Sequence, residues 1–373
     1  MVRIAHVLGR LDRGGVETWL KDIILHYDKD KYQMEFVLTK SGEGVYDEIV
    51  MSEGSRLNTI PLSHGIFNFS WNLYKLFRNE KYDIIHTHLH FFSGYICLIA
   101  FFAGVSFRIS HSHSDTSILQ KKATLFRKFY YEFQRFLLNV FSNRKLACSI
   151  EAGKALYKKD NYNVLYCGVD FEKFYYDPNT SNKEKILFEL NIPNNAIIIG
   201  HVGRFSIPKN HSFIIDIFAE FKGKSDIFLI LIGEGTLMDA MKNKAYQNNI
   251  ENIRFLGGRN DVNIFMRDVF DIFLFPSLYE GLGICLLEAQ VAGLKCLISD
   301  MIPTEVILIN ENMKRLSLND SPKRWKETLL EMLRYKNDSD YNSIIDRVND
   351  TPFNIKNSTF SLENIYNQCI NEF

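Results

Sequence analysis

Residues 275–293 read FPSLYEGLGICLLEAQVAG, and the fold is decided there. A strand-like apolar start ends at Pro276, a turn carrying Gly281, Leu282 and Gly283 follows, and an apolar helical pattern begins near Ile284. Strand, tight turn and helix in that order form the repeating unit of a parallel α/β sheet. The glycines let the backbone approach a ligand, and the helix start offers unpaired N–H groups and partial positive charge to an anion. Glu280 lies just before the turn, and Glu288 is roughly 7.5 Å along the helix axis at about 1.5 Å per residue. That is about the reach from a diphosphate to the ribose of the same nucleotide, so one element can serve both. Taken singly, each Glu is ordinarily a solvated side chain. A carboxylate pair also suits glycoside hydrolysis, one acting as acid and the other as base or nucleophile, and spacing leaves that reading open.

Residues 200–218, GHVGRFSIPKNHSFIIDIF, repeat the pattern. A strand ends at Gly203, Arg204 and Lys209 follow across a Pro-containing loop, and a helix starts around Asn210. Arg as a planar fork and Lys as a point charge together suit a diphosphate. Strand-like runs at 196–203, 226–233, 252–257, 271–277 and 295–300 make up the rest of this half. The first half carries such runs at 3–9, 33–39, 83–88, 108–113, 145–149 and 163–168, with helical patterns at 19–27, 91–102 and 119–138 between them. The strands read as apolar on both faces, as a parallel sheet covered by helices requires. The break between halves is expected in YDPNTSNKEKI, 175–185. In such sheets ligands sit beyond the carboxyl ends of the strands.

The 373 residues suit two domains of roughly 150 residues or more, each able to bury its own core. With 44 basic and 44 acidic residues the formal charge is zero, which argues against a nucleic-acid coat. The balance is uneven: residues 1–175 hold 23 Lys/Arg and 18 Asp/Glu, the remainder 21 and 26. Six cysteines without a C-x-x-C pair read as buried thiols in a reducing compartment, and the start MVRIAHVLGRLDRGG is too early-charged for a signal peptide. Both readings predict a cytoplasmic protein. The apolar run Phe91–Val105 is short of the roughly 20 residues of a membrane span and reads as a buried helix.

The first half adds a Gly14–Gly15 turn into a helix after the first strand, without the full G-x-G-x-x-G pattern of dinucleotide binding. Histidines cluster at His86, His88 and His90 and at His111 and His113. Alternation puts His111 and His113 on one face at a strand's carboxyl end, where a polar substrate is a better partner than zinc, since no third ligand stands at metal spacing. His86 and His88 read as strand-end packing. The stretch Leu119–Leu137 carries five Lys/Arg, one Glu and six aromatic residues. It suits either a helix resting on an anionic membrane surface or a core-packing helix with a basic outer face.

Together, GGVE at 14–17, HSHSD at 111–115, ACSIEAGKALY at 147–157, CGVDFEKF at 167–174, VGRFSIPKN at 202–210, LIGEG at 231–235 and the E-x7-E pair Glu280 and Glu288 resemble the retaining glycosyltransferases of family four. Residues 299–325, from SDMIPTEV to LSLNDSPKRW, resemble enzymes of bacterial capsular or exopolysaccharide assembly. The resemblance implies the GT-B fold, two Rossmann-like doubly wound parallel-sheet α/β domains facing across a cleft. Residues 1–176 would be the acceptor domain, with a C-terminal helix 355–373 packing back on it, and 177–354 the nucleotide-sugar donor domain. It further implies that Arg204 and Lys209 hold the donor diphosphate, Glu288 the ribose hydroxyls and Glu280 the donor sugar. Gly281, Leu282 and Gly283 would line the donor site, His113 would lie near the sugar, and Gly14–Gly15 would face the diphosphate and acceptor.

The chemistry implied is retaining hexosyl transfer from a nucleotide sugar, most simply UDP-linked, to a glycan or lipid-linked acceptor. No metal, cofactor or protein nucleophile is expected. The D-x-D triplets at Asp28–Asp30 and Asp338–Asp340 read as surface charge. Where the family has Pro-Asn before Gly168, this chain has Tyr166-Cys167. A UDP-sugar epimerase of the same architecture and a non-catalytic nucleotide- or glycan-binding partner are the alternatives.

Overall fold

The computed structural model describes residues 1–158, 161–175, 181–334 and 341–371. It divides into two compact units, one running from Met1 to Gly168 and resuming at Ile355, the other from Val169 to Asn354. The expected division after residue 176 lies further along the chain. Val169 already belongs with the second unit because it bridges Asn354 and its N–H donates to the Phe353 carbonyl at 2.8 Å.

Seven strands form the sheet of the first unit: β1 (Val2–Leu8), β2 (Tyr32–Leu38), β3 (Leu57–Thr59), β4 (Ile84–Thr87), β5 (Phe107–Ser112), β6 (Arg144–Ala147) and β7 (Asn163–Val164). All pairings are parallel, in the order β3-β2-β1-β4-β5-β6-β7. The second unit has β8 (Ile197–Val202), β9 (Ile227–Ile232), β10 (Ile253–Phe255), β11 (Ile272–Phe275), β12 (Lys295–Ser299) and β13 (Met313–Leu316), parallel in the order β10-β9-β8-β11-β12-β13. Both are doubly wound. The strand order reverses between β1 and β4 in one unit and between β8 and β11 in the other, and these reversal points are where such sheets bind ligands.

Two strands, β3 and β13, are absent from the sequence expectation. Both are edge strands of three or four residues without a buried position, so they lack the apolar run that marks a covered strand. The Phe91–Val105 run becomes a helix, Ser93–Phe102, with Ile96, Cys97 and Ala100 fully buried. No helix among the described residues is long and apolar enough to cross a membrane.

Helices cover both faces. In the second unit Ile199, Leu229, Leu231, Ile272, Leu274 and Leu297 pack with Ile214 and Ile217 of the His211–Ala219 helix and Trp325 and Leu329 of the Pro322–Arg334 helix. In the first, Ala5, Val7, Val37 and Ile85 pack against the helices Ile66–Glu80 and Ser93–Phe102. Alternation then turns His6, His86 and His111 to the opposite face, where each is 0% exposed. That face therefore carries a row of imidazoles among Ile4, Phe36, Ile84 and Ile109, where a wholly apolar surface is expected. Trp19, from the Gly15–His26 helix, lies edge-on to His111 at 5.5 Å, and Tyr366, from the C-terminal helix Ile355–Asn371, hydrogen-bonds His86 at 2.8 Å. The two covering helices are tied directly, Trp19 Nε1 donating to Ser358 Oγ at 3.0 Å.

Burial without a carboxylate partner holds these rings neutral: desolvation pushes His6 down to about 3 and His86 and His111 well below the usual imidazole value. The unfolded chain takes up protons near pH 6.5, whereas the folded chain does so only near the depressed values. Stability is therefore fully present above about pH 6.5 and falls as the pH drops below it, by up to ~1.4 kcal/mol per pH unit for each ring. Thermal melts should show the first unit holding its stability from pH 7.5 to about 6.5 and losing it from there to pH 5. A midpoint unchanged over that window would contradict neutral burial.

Candidate active site

The loops leaving β8 and β11, at the reversal point of the second sheet, hold Arg204, Lys209, Glu280, Gly281, Leu282 and Gly283 of the expected residues, and Glu288 lies in the helix that follows the second loop. Beyond β8 the chain passes Gly203 and Arg204, makes a 3₁₀ turn at Ile207–Lys209 and turns through Asn210, which is left-handed at φ 55°. Asn tolerates that conformation better than most residues, and its side-chain Nδ2 donates to the Pro276 carbonyl at 3.1 Å. The Leu278 N–H in turn donates to the Pro208 carbonyl at 2.7 Å. These two bonds tie the β8 loop to the β11 loop.

The loop after β9 braces the arrangement from the other side. Gly233 N–H donates to the Gly257 carbonyl, and Phe205 N–H donates to the Glu234 carbonyl, both at 2.8 Å. A Cβ on Gly233 would sit 2.1 Å from the Gly203 carbonyl oxygen, so only glycine allows this approach. Asn210, Gly233 and Glu234 were not singled out from sequence as bracing residues, although the quoted PKN and LIGEG segments contain them.

Lys209 is the centre of the site. Its Nζ lies 2.7 Å from Glu280 Oε1, with the two side chains 15% and 10% exposed, and 4.7 Å from the centre of the Phe275 ring. Burial alone would lower the Lys209 pKa. Glu280, Cys285 and Glu288 act in the opposite direction and hold it above its ordinary value, so the amine stays charged. Lys209 and Glu280 are thus in direct contact, Glu288 adds its charge in the same sense, and Arg204 stands on the same loop with its side chain exposed.

Gly283 is left-handed at φ 89°, as only glycine readily is, and it starts the Ile284–Val291 helix without a side-chain cap. The first-turn N–H groups beside Gly281 and Leu282 are therefore not taken by a capping side chain. A fixed ammonium, a guanidinium on the same loop and an uncapped helix start can together hold a dianion, with carboxylates left for hydroxyl groups.

In the first unit Gly14 precedes the Gly15–His26 helix in an extended conformation, again without a side-chain cap. His113 lies just past β5. Its Nε2 is 2.8 Å from His88 Nδ1, and its Nδ1 faces the Cys167 sulfur at 3.6 Å. The departure from the family pattern at Tyr166-Cys167 thus brings a thiol to His113, and burial pushes that thiol well up in pKa, keeping it protonated. Ring nitrogens of His6, His86 and His88, and of His88, His111 and His113, fall within 4.8 Å of one another. A third histidine is therefore present after all, hidden from sequence spacing because β1, β4 and β5 assemble the group. His86 and His88 are members of this network, not simple strand-end packing.

Asp28–Asp30 forms an exposed turn before β2, Asp28 Oδ1 accepting from the Asp30 and Lys31 N–H groups. Asp338–Asp340 lies outside the described residues. The expected single helix over 119–137 is two helices, Ser117–Lys121 and Leu125–Phe141. Thr124 separates them, its backbone extended and its side chain capping the second through the Arg127 N–H. The outer face of that second helix is also not simply basic. Leu125, Phe126, Phe129, Phe133 and Phe136 are all exposed beside Arg127 and Lys128, while Gln134, Arg135, Leu137 and Leu138 are buried.

Residues 13–173 match the family model Glycosyltransferase Family 4, and residues 182–347 match Glycosyl transferases group 1. The glycosyltransferase EpsF of Bacillus subtilis is 35% identical over 88% of this chain and 86% of its own length. The capsular polysaccharide biosynthesis glycosyltransferase CapH of Staphylococcus aureus is 25% identical over 98% and 99%. Among solved structures, HepE of Anabaena in complex with UDP and glucose matches at a TM-score of 0.80, covering 99% of this chain and 100% of that one at 16% identity. The last match is one of fold, two parallel-sheet α/β domains of GT-B type. On the family models and the EpsF relative, the chain belongs to the family 4 glycosyltransferases.

Proposed function

We propose that this enzyme is a retaining, metal-independent hexosyltransferase that moves a sugar from a UDP-sugar to a glycan or lipid-linked acceptor in bacterial surface polysaccharide synthesis. The observation that carries the reading is Lys209: a half-buried, charged ammonium on a doubly braced loop, paired with Glu280 and within the field of Glu288. UDP in the HepE structure supports the choice of nucleotide, and the likeness to CapH supports the polysaccharide context.

The chemistry follows from charge. Breaking the bond between C1 and the diphosphate oxygen leaves positive charge on the sugar and negative charge on the leaving group. Lys209, Arg204 and the helix start at Gly283 meet that negative charge, in fixed positions that need no reorganisation as it develops. These cations stand where other glycosyltransferases use a metal held by D-x-D. When a diphosphate takes Lys209, Glu280 is released from its ion pair and can accept from hydroxyls of the donor sugar. Glu288 accepts from the ribose hydroxyls. The acceptor oxygen attacks from the face that the diphosphate leaves, and a diphosphate oxygen takes its proton, so the configuration at C1 is kept without a protein nucleophile.

The exposed aromatic side chains of the Leu125–Phe141 helix, beside Lys121, Lys122, Arg127 and Lys128, support peripheral contact with an anionic lipid surface. Rings on such a face would enter the headgroup region while the cations stay at the phosphates.

Replacing Lys209 by alanine should lower turnover by about 10²–10³-fold with the circular-dichroism spectrum unchanged; unaltered turnover removes the leaving-group role. Excess EDTA should leave the rate as it was, and proton NMR of the product should show the anomeric configuration of the donor. Loss of activity on chelation, or an inverted product, counts against the mechanism. The intact chain should co-sediment with phosphatidylglycerol vesicles, and Phe126→Ala with Phe129→Ala should weaken this without affecting transfer to a soluble acceptor. An intact chain that stays in the supernatant ends the lipid reading.

A further inference from the structure

Three helices side by side, Ile66–Glu80, Ser93–Phe102 and Leu125–Phe141, cover one face of the first sheet. Tyr95 of the middle helix ties them together: its hydroxyl pairs with Ser70 Oγ at 2.7 Å, and its N–H donates to Gln134 Oε1 at 3.1 Å. Phe101 and Phe102 of the same helix meet Phe141 at 5.2 and 6.5 Å between ring centres. The inner sides of the helices fill the core, so their outer sides form one continuous surface.

That surface leaves large apolar side chains in solvent on all three helices, and not only on Leu125–Phe141. Ile66, Phe67 and Trp71 are exposed on the first helix, Phe67 at 90%, and Phe101 and Phe102 on the second. Steps of four, four and three residues put Phe67, Trp71, Lys75 and Arg78 on one stripe of Ile66–Glu80. Lys75 Nζ stands 5.0 Å from the centre of the Trp71 ring, and the Tyr74 ring stacks beside it at 5.9 Å. Indole and phenol rings next to an ammonium suit the boundary between lipid headgroups and acyl chains, which is apolar on one side and wet on the other. Charge points the same way. From Gly54 to Tyr131 the sequence sets nine Lys/Arg against Glu80, Asp83 and Asp115 alone, and Glu80 is paired with Arg3 and Arg56. Such a surface is both too apolar to be an ordinary solvated face and matched to an anionic partner.

We propose that the outer face of the whole three-helix layer docks on an anionic bilayer, with Phe67 and Trp71 as a second anchor on a different helix from Phe126 and Phe129. The proposal rests on the lipid contact of Leu125–Phe141 given above and adds an orientation to it. One anchored helix leaves the unit free to roll about that helix, whereas two anchored helices hold the sheet face parallel to the bilayer. The rim that carries the loops after β1, β4 and β5 then opens along the lipid surface, where a lipid-linked acceptor would be presented. A second copy of the chain fits this face poorly. Self-pairing would set Lys75, Arg78, Arg127 and Lys128 against the same cations, while lipid phosphates complement them.

Trp71 reports on the docking without a label. Of the three tryptophans, Trp19 and Trp325 are 1% and 0% exposed and Trp71 is 58% exposed, so a response to added vesicles comes from Trp71. With phosphatidylglycerol vesicles the emission of the full chain should move to shorter wavelength, and the same lipid brominated on its acyl chains should quench it. Both responses should vanish in Trp71→Phe. Phe67→Ala, at a position too exposed for the fold to depend on it, should weaken partitioning roughly tenfold and leave transfer to a soluble acceptor unchanged. Co-sedimentation with an unshifted, unquenched Trp71, or partitioning untouched by Phe67→Ala, would mean that Leu125–Phe141 docks alone; this overturns the proposal and leaves the lipid contact standing. A chain that stays in the supernatant overturns both. Equal binding to phosphatidylcholine vesicles would remove the charge argument and overturn the proposal, as would a dimer that Phe67→Ala converts to monomer without any binding to vesicles.

Discussion

In an all-parallel sheet every strand runs the same way, so the loop after each strand emerges on a single rim while the strands themselves must be covered on both faces. Both units obey this constraint, and the placing of the residues proposed to act follows from it. The loops after β8, β9 and β11 meet on one rim because their strands are neighbours, and backbone hydrogen bonds from Phe205 to Glu234 and from Leu278 to Pro208 then fix them to one another. An ammonium cannot be half-buried cheaply. Here it can be, because the same rim brings Glu280 to within 2.7 Å, and the charge of Glu288 adds to the favourable field.

The parts legible in sequence were those whose signal is local. The turn at Gly281–Gly283, the strand-to-helix passage around Arg204 and Lys209 and most strands declare themselves through neighbours in the chain. The edge strands β3 and β13 did not, because a partly exposed strand of three or four residues has no apolar run. The break at Thr124 was hidden by the aromatic and basic residues around it, although threonine is a good helix cap. Least visible was the histidine network. His6, His86, His111 and Tyr366 are far apart in sequence, and only the strand order β1-β4-β5 and the return of the C-terminal helix bring them together.

The two units handle polar groups in different ways. In the second, charges sit at the rim and are matched by opposite charges. In the first, polar rings run beneath the rim into what would otherwise be an aliphatic face, and burial keeps them neutral while hydrogen bonds link them to one another. The excess positive charge of residues 1–175 lies partly on the exposed helix with its aromatic side chains, whereas the anion site proposed on Lys209 and Arg204 falls in the half with the acidic excess. Net charge by half thus points to the other unit than the one proposed for the nucleotide. The proposed anion site rests instead on local geometry, a braced loop and an uncapped helix.

The most direct measurement is calorimetric titration of the full chain with UDP, GDP and ADP, repeated on Arg204→Ala. UDP should bind in preference to the other two, with a clear loss of affinity in the variant because the diphosphate loses one of its cations. Absence of binding by all three nucleotides, or UDP affinity untouched by the loss of Arg204, would contradict a donor diphosphate site on the loops after β8 and β11.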